Sequence, residues 1–264
     1  MSRGMLDEAD VERISQETPG LSNLQQIATF FSPAFISISF PYKSNIPIAS
    51  VCLQDAVHTL AEARYALFEA LAHQVWYRQK KEPPKEMTAA FFGRYYAADA
   101  ALRLYSAGEH LANGIIMMLE ITDEDLNPYK KKRISQQSVV GYFLKEQKAH
   151  HPITKAVIRL ADSKEWQATM TYRNKWVHEQ PPTVAEMGIV YKRGKRWKPL
   201  PNGRYTLGIG GGDKPEYSAE DLVGFIKPAM FKFTDTFTSV VEFYTKLLKD
   251  VGNRTVKPLD KDEQ

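Results

Sequence analysis

Two long stretches set back to back repeat apolar residues at the spacing of an α-helix, and a helical hairpin is the simplest fold that satisfies both. Residues 50 to about 80 place Leu53, Val57, Leu60, Ala61, Leu67, Phe68, Leu71 and Val75 on one face. Residues 88 to 120 carry Phe91, Tyr95, Ala98, Leu102, Tyr105, Ala112, Ile116 and Leu119 in steps of four and three, the seam of a helix packed lengthwise against neighbours. Pro83 and Pro84 stop the first helix, because the residue before a proline is pushed out of the helical region. So short a turn implies antiparallel packing.

The rest of the chain extends this plan. A charged loop with Asn127, Pro128 and the cations Lys130, Lys131, Lys132 and Arg133 precedes a shorter helix over 138–148. Another helix is expected over 154–179, ended by Pro181 and Pro182. Between 187 and 212 the period changes. Ile189, Val190, Tyr191, Trp197, Tyr205, Leu207 and Ile209 stand among polar residues and glycine or proline turns, which predicts a small β-hairpin or three-strand insertion. Ser218 and Asp221 have the spacing of a capping box, and Leu222, Ile226, Met230, Phe233, Phe237, Val240, Tyr244 and Leu248 carry a last long helix, kinked early at Pro228. The expected fold is all-α: an antiparallel bundle over 50–249 with a basic β-rich insertion at 187–212. An N-terminal arm over 1–49 packs on it, and a loose tail follows over 250–264.

Composition narrows the function. With 264 residues, 43% of them hydrophobic, the chain can bury a full core. Its 35 Lys and Arg against 31 Asp and Glu leave a net charge of +4, which excludes a histone-like polycation and an acidic disordered chain. Nucleic-acid affinity must therefore come from local patches. One cysteine, Cys52, can form neither an internal disulfide nor a multi-cysteine zinc site, and the N-terminal residues lack the basic and apolar order of an export signal, so a cytoplasmic location is expected. Residues 18–42 carry no charge. Asn23, Gln25, Gln26, four serines and the internal Pro33 and Pro41 nevertheless interrupt any membrane-spanning run.

The chemistry concentrates at the end of the expected helix over 154–179. Arg173, Asn174 and His178 put a permanent cation, an amide and a titratable imidazole within one and a half turns. Such a set can hold a phosphate and move a proton near neutral pH. Residues five apart point about 140° from each other on a straight helix, so convergence calls for a distorted helix end or a second subunit. An arginine followed by a histidine after four to six intervening residues occurs once more, at Arg103 and His110.

Long antiparallel helices followed by a helix with Arg-Asn-x-x-x-His resemble the HEPN superfamily, whose mark is an arginine, a polar residue and a histidine after four to six intervening positions. Arg173, Asn174 and His178 fit that mark; Arg103, followed by Leu104, fits less well. The resemblance covers about 50–249 and leaves out the arm and the insertion. It implies a metal-independent endoribonuclease of toxin or antiphage systems, acting as a homodimer whose two motifs meet in one cleft, without a cofactor. An antitoxin or other protein partner is implied with it. His178 becomes the general acid or base at the ribose 2′-hydroxyl, Arg173 neutralises the phosphoryl oxygens, and Asn174 positions the phosphate or the histidine. Some relatives carry a tyrosine two places after the histidine. Gln180 stands there in this chain, so regulation by modification of that tyrosine is not expected. Other HEPN proteins keep the bundle without nuclease activity, which leaves a non-catalytic module binding RNA, a nucleotide or a protein partner as the alternative.

Three further groups stand out. Lys192, Arg193, Lys195, Arg196, Lys198 and Arg204, interleaved with Tyr191, Trp197 and Tyr205, suit phosphate contacts and base stacking on single-stranded RNA, or else mark a solvated hairpin. His58, Glu62, Glu69 and His73 share one helix face. About 22 Å separates the two histidines along the axis, too far for one ion, so no metal is expected. Arg64 and Glu109 interrupt apolar stripes; they are expected to meet in the active cleft, or Arg64 to pair with Asp99 or Glu109, or to lay its stem on the core with its head in water.

Overall fold

The computed structural model describes residues 6–20, 44–79, 83–130, 135–179, 182–184, 197–199, 202–203, 205–207 and 215–255. These residues form α1 (Glu8–Gln16), α2 (Ile46–Gln79), α3 (Pro83–Met118), α4 (Asp123–Lys130), α5 (Gln136–Gln147), α6 (Thr154–Ala161), α7 (Lys164–His178), β1 (Trp197–Pro199), β2 (Tyr205–Leu207) and α8 (Ala219–Thr255). The described fold is predominantly helical, and none of its helices is long and apolar enough to cross a membrane.

The α2/α3 hairpin is the frame. Leu53 lies against Gly114, Glu62 pairs with Arg103, and His73 lies against Gly93, a sequence of contacts that only antiparallel helices can make. Buried alanines line the junction: Ala56, Ala63, Ala66 and Ala70 on α2 face a core shared with Ala97, Ala100, Ala101 and Ala107 on α3. Small side chains let two helix axes approach closely over their full length. The pair is therefore held by many close contacts rather than by a few large residues.

Helix boundaries differ from the sequence expectation where prolines and serines act at starts. Pro83 and Pro84 open α3 instead of merely ending α2, because the first turn of a helix needs no N–H and proline's fixed φ suits it. The expected helix over 154–179 is two helices. Asp162 closes α6, and the Ser163 hydroxyl accepts the Trp166 N–H to cap α7. The expected loop after α3 contains α4, with Pro128 inside it. Ser218 and Asp221 form the reciprocal capping box at α8, at 2.7 and 3.0 Å, and α8 continues to Thr255, beyond the expected start of a loose tail. In the arm, α1 buries Ile14; residues 21–43 lie outside the described residues. Within the expected insertion, β1 and β2 pair antiparallel with Trp197 opposite Leu207. The remainder of 187–212, apart from Asn202 and Gly203, lies outside the described residues.

One contact fixes α7 on this frame. Trp166 is buried, donates its indole N–H to Gln137 Oε1 at 2.9 Å, and stacks on Phe233 with ring centres 5.7 Å apart. Its far edge presses on Gly108 of α3, where a Cβ would lie 2.8 Å from Cζ2. Gly108→Ala is expected to destabilise the fold by about 1–3 kcal/mol, the usual cost of overpacking a filled core, read as a lower urea midpoint with an unchanged slope.

Candidate functional site

α7 ends where Arg173, Asn174 and His178 cluster. His178 is the last helical residue, and the backbone remains regular to that point, since the Glu179 N–H still donates to Lys175 O at 3.1 Å. Glu179 then leaves the helical region. Arg173 points along the helix surface toward this end. Its Nη1 donates to Asn174 Oδ1 and to His178 Nε2, both at 3.1 Å. The three expected residues thus meet within one chain. Neither a distorted helix end nor a second subunit is required, because the long arginine side chain spans the angular gap that the backbone leaves.

The contact also sets the imidazole's state. A guanidinium has donors only, so His178 Nε2 must offer its lone pair and the proton of the neutral ring resides on Nδ1. His178 is exposed to solvent.

α3 supplies the floor beneath Arg173. The guanidinium carbon lies 3.7 Å from the centre of the Tyr105 ring, a cation–π contact that fixes the plane of the fork. Four residues on, Glu109 lies within electrostatic reach of Arg173. Its carboxylate accepts the Gln136 N–H at 3.0 and 3.3 Å from its two oxygens and so caps the start of α5. Burial raises the Glu109 carboxyl above the ordinary carboxylate value, with the α5 N–H groups and Arg173 opposing that rise in part. Tyr105 was legible only as a seam position and Glu109 only as a charge interrupting the seam; their relation to Arg173 depends on how α7 crosses α3.

The other expected residues are placed elsewhere. Arg103, of the second Arg-to-His match, is held by Asp99 at 2.8 Å and by Glu62, so its charge is already neutralised. Arg64 donates from Nε to the Pro19 carbonyl at 2.5 Å. The expected pairing of Arg64 with Asp99 or Glu109 is thus corrected: Asp99 serves Arg103 and Glu109 serves α5. His73 and Glu69 are buried, and His73 Nδ1 donates to the Glu69 carbonyl at 2.8 Å among the rings of Trp76, Phe92 and Tyr96. No group of three side chains able to hold a metal occurs among the described residues. Lys192, Arg193, Lys195, Arg196 and Arg204 lie outside the described residues, and of Trp197 and Lys198 only the strand backbone is described.

A cleft of about 620 Å³, walled by Leu71, Gln74, Val223 and Phe231, contains none of the motif residues. Arg173 is half-buried and His178 exposed at the end of α7. Comparisons with family models, with curated proteins and with solved structures find no match.

Glu109 yields a pH test. A carboxyl whose folded pKa is raised favours the folded state at low pH, and that advantage is lost as pH rises through the folded pKa. Glu109→Gln keeps an acceptor for α5 and removes the titration. The melting temperature of the variant relative to wild type is therefore expected to climb between pH 4 and pH 7, and a constant difference would exclude Glu109 as the source.

Proposed function

We propose that the protein is a metal-independent endoribonuclease of HEPN type, with Arg173, Asn174 and His178 as its working set. The observation that carries this reading is the Arg173–His178 contact: a fixed cation and a neutral imidazole with its lone pair at Nε2 share one exposed point.

A phosphodiester approaching this point competes for the same guanidinium. Its anionic oxygens are far stronger acceptors than a neutral imidazole, so Arg173 exchanges His178 for the phosphate and frees Nε2. The ring of Tyr105 keeps the fork in plane during the exchange. His178 then accepts the proton of the ribose 2′-hydroxyl. The 2′-oxygen forms a bond to the adjacent phosphorus as the bond to the 5′-oxygen breaks, and that oxygen takes a proton from water or from the imidazolium. A 2′,3′-cyclic phosphate and a 5′-hydroxyl result. Arg173 offsets charge gathering on the phosphoryl oxygens, and Asn174 holds the guanidinium through its side-chain oxygen. No metal takes part.

Assembly as a homodimer, the basic insertion as an RNA-steering arm, and service in a toxin or antiphage system belong to the same reading. The resemblance of the Arg-Asn-x-x-x-His segment supports them.

Purified protein is expected to cut RNA in excess chelator and leave cyclic phosphate ends, while DNA, lacking the 2′-hydroxyl, stays intact. His178→Ala is expected to slow cleavage by about 100-fold or more with an unchanged circular dichroism spectrum, and Arg173→Ala by a similar factor. Undiminished cleavage by the folded His178→Ala protein removes the histidine from the mechanism.

A further inference from the structure

The seam of α3 has an unexpected end. Phe91 and Tyr95 continue the apolar row that is buried farther along the helix, yet they are 47% and 55% exposed. Their rings are parallel to within 7° with centres 6.5 Å apart. Each is braced edge-on from the next residue: Phe92 meets Phe91 at 5.4 Å and 86°, and Tyr96 meets Tyr95 at 5.3 Å and 77°. Two parallel aromatic faces are thus held rigid in solvent.

Their direction is as informative as their exposure. On a wheel of 3.6 residues per turn, Phe91, Tyr95, Leu102, Tyr105 and Glu109 share an arc of about 80°, and Tyr95 lies about 15 Å along the axis from Tyr105. Tyr105 is the ring on which Arg173 rests. Arg94 adjoins Tyr95, carries no ion pair among the described residues, and lies close enough to Tyr172 on α7 for its charge to act on that phenol. One stripe of α3 therefore runs from two exposed parallel rings, past a cation, to the guanidinium and imidazole at the tip of α7.

We infer that Phe91 and Tyr95 form a base-stacking platform that receives unpaired nucleobases of an RNA strand, while Arg94 and Arg173 hold its phosphates on the way to His178. Stacked aromatic faces alternating with cations bind single strands with little regard to sequence, because every base presents a π face. The separation between platform and site falls within the reach of the roughly 4 nucleotides at the small end of single-strand sites. Cationic flanks and ring orientation favour a nucleic acid over a protein, whose apolar contacts would not need parallel faces. The inference rests on the RNA-directed reading of the Arg173 site and adds to it where the substrate's bases lie.

The test uses the full chain and a fluorescent 2′-O-methyl uridine 12-mer, which cannot undergo 2′-hydroxyl attack, beside an abasic 12-mer with the same phosphates. Wild type is expected to bind the uridine strand more tightly than the abasic one. Phe91→Ala and Tyr95→Ala are each expected to weaken uridine binding about tenfold and leave abasic binding unchanged, and Tyr95→Trp to retain it. Thermal melts confirm that the exposed-site variants fold. The platform is overturned if the alanine variants bind the uridine strand as wild type does, or if wild type does not distinguish the two strands. It is equally overturned if wild type binds neither strand, or if the variants act only by dissociating a protein assembly in sedimentation. Cleavage assays separate this outcome from the catalytic reading: a wild type that cleaves RNA in a His178-dependent way yet does not distinguish the uridine strand from the abasic one discards the platform alone. Base-dependent binding without turnover discards catalysis alone.

Discussion

Everything at the candidate site depends on the place where Trp166 rests on bare backbone. Gly108 offers no side chain, so the indole edge of Trp166 can approach α3 more closely than any other residue would permit. Gln137 receives its N–H and Phe233 covers its face, so three helices agree on the position of one ring. Trp166 and Arg173 are seven residues apart, close to two helical turns, and therefore point the same way from α7. Once the first is seated on Gly108, the second has little choice but to lie over Tyr105.

This arrangement explains how an open surface can still be ordered. An arginine at a helix tip ordinarily samples many rotamers in water, and ordering it costs conformational entropy. Here the guanidinium is held from below by an aromatic face and from the sides by the Asn174 oxygen and His178 Nε2. Glu109, anchored by the first N–H of α5, lies within electrostatic reach of it. The cation is preorganised without being neutralised by a direct carboxylate contact. Arg103 shows the contrast: the same residue type, also followed by a histidine within the motif's range of four to six intervening positions, but engaged by two carboxylates.

Much of the frame was legible from the order of residues. The α2/α3 hairpin, α5 and the capping box of α8 follow from apolar periodicity and from local hydrogen-bonding residues, which act over a turn or two of chain. The break between α6 and α7 was missed because the apolar rhythm continues across it, although Ser163 three residues before Trp166 carried the cap signal. The pairing proposed for Arg64 failed for a different reason. Mirroring a hairpin tells which residues share a level, but not which partner arrives from outside it, and here the Pro19 carbonyl does.

By itself the sequence determined the helical class and the long hairpin and singled out Arg173, Asn174 and His178, since each is written in residue type and short-range spacing. Tertiary structure alone decided that Arg173 reaches His178 within one chain, that Tyr105 lies beneath it with Glu109 within electrostatic reach, and that Phe91 and Tyr95 face solvent rather than core. The physical reason is that periodicity records which side of a helix is apolar. What covers that side depends on contacts between segments far apart in the chain, and those are fixed only when the elements pack.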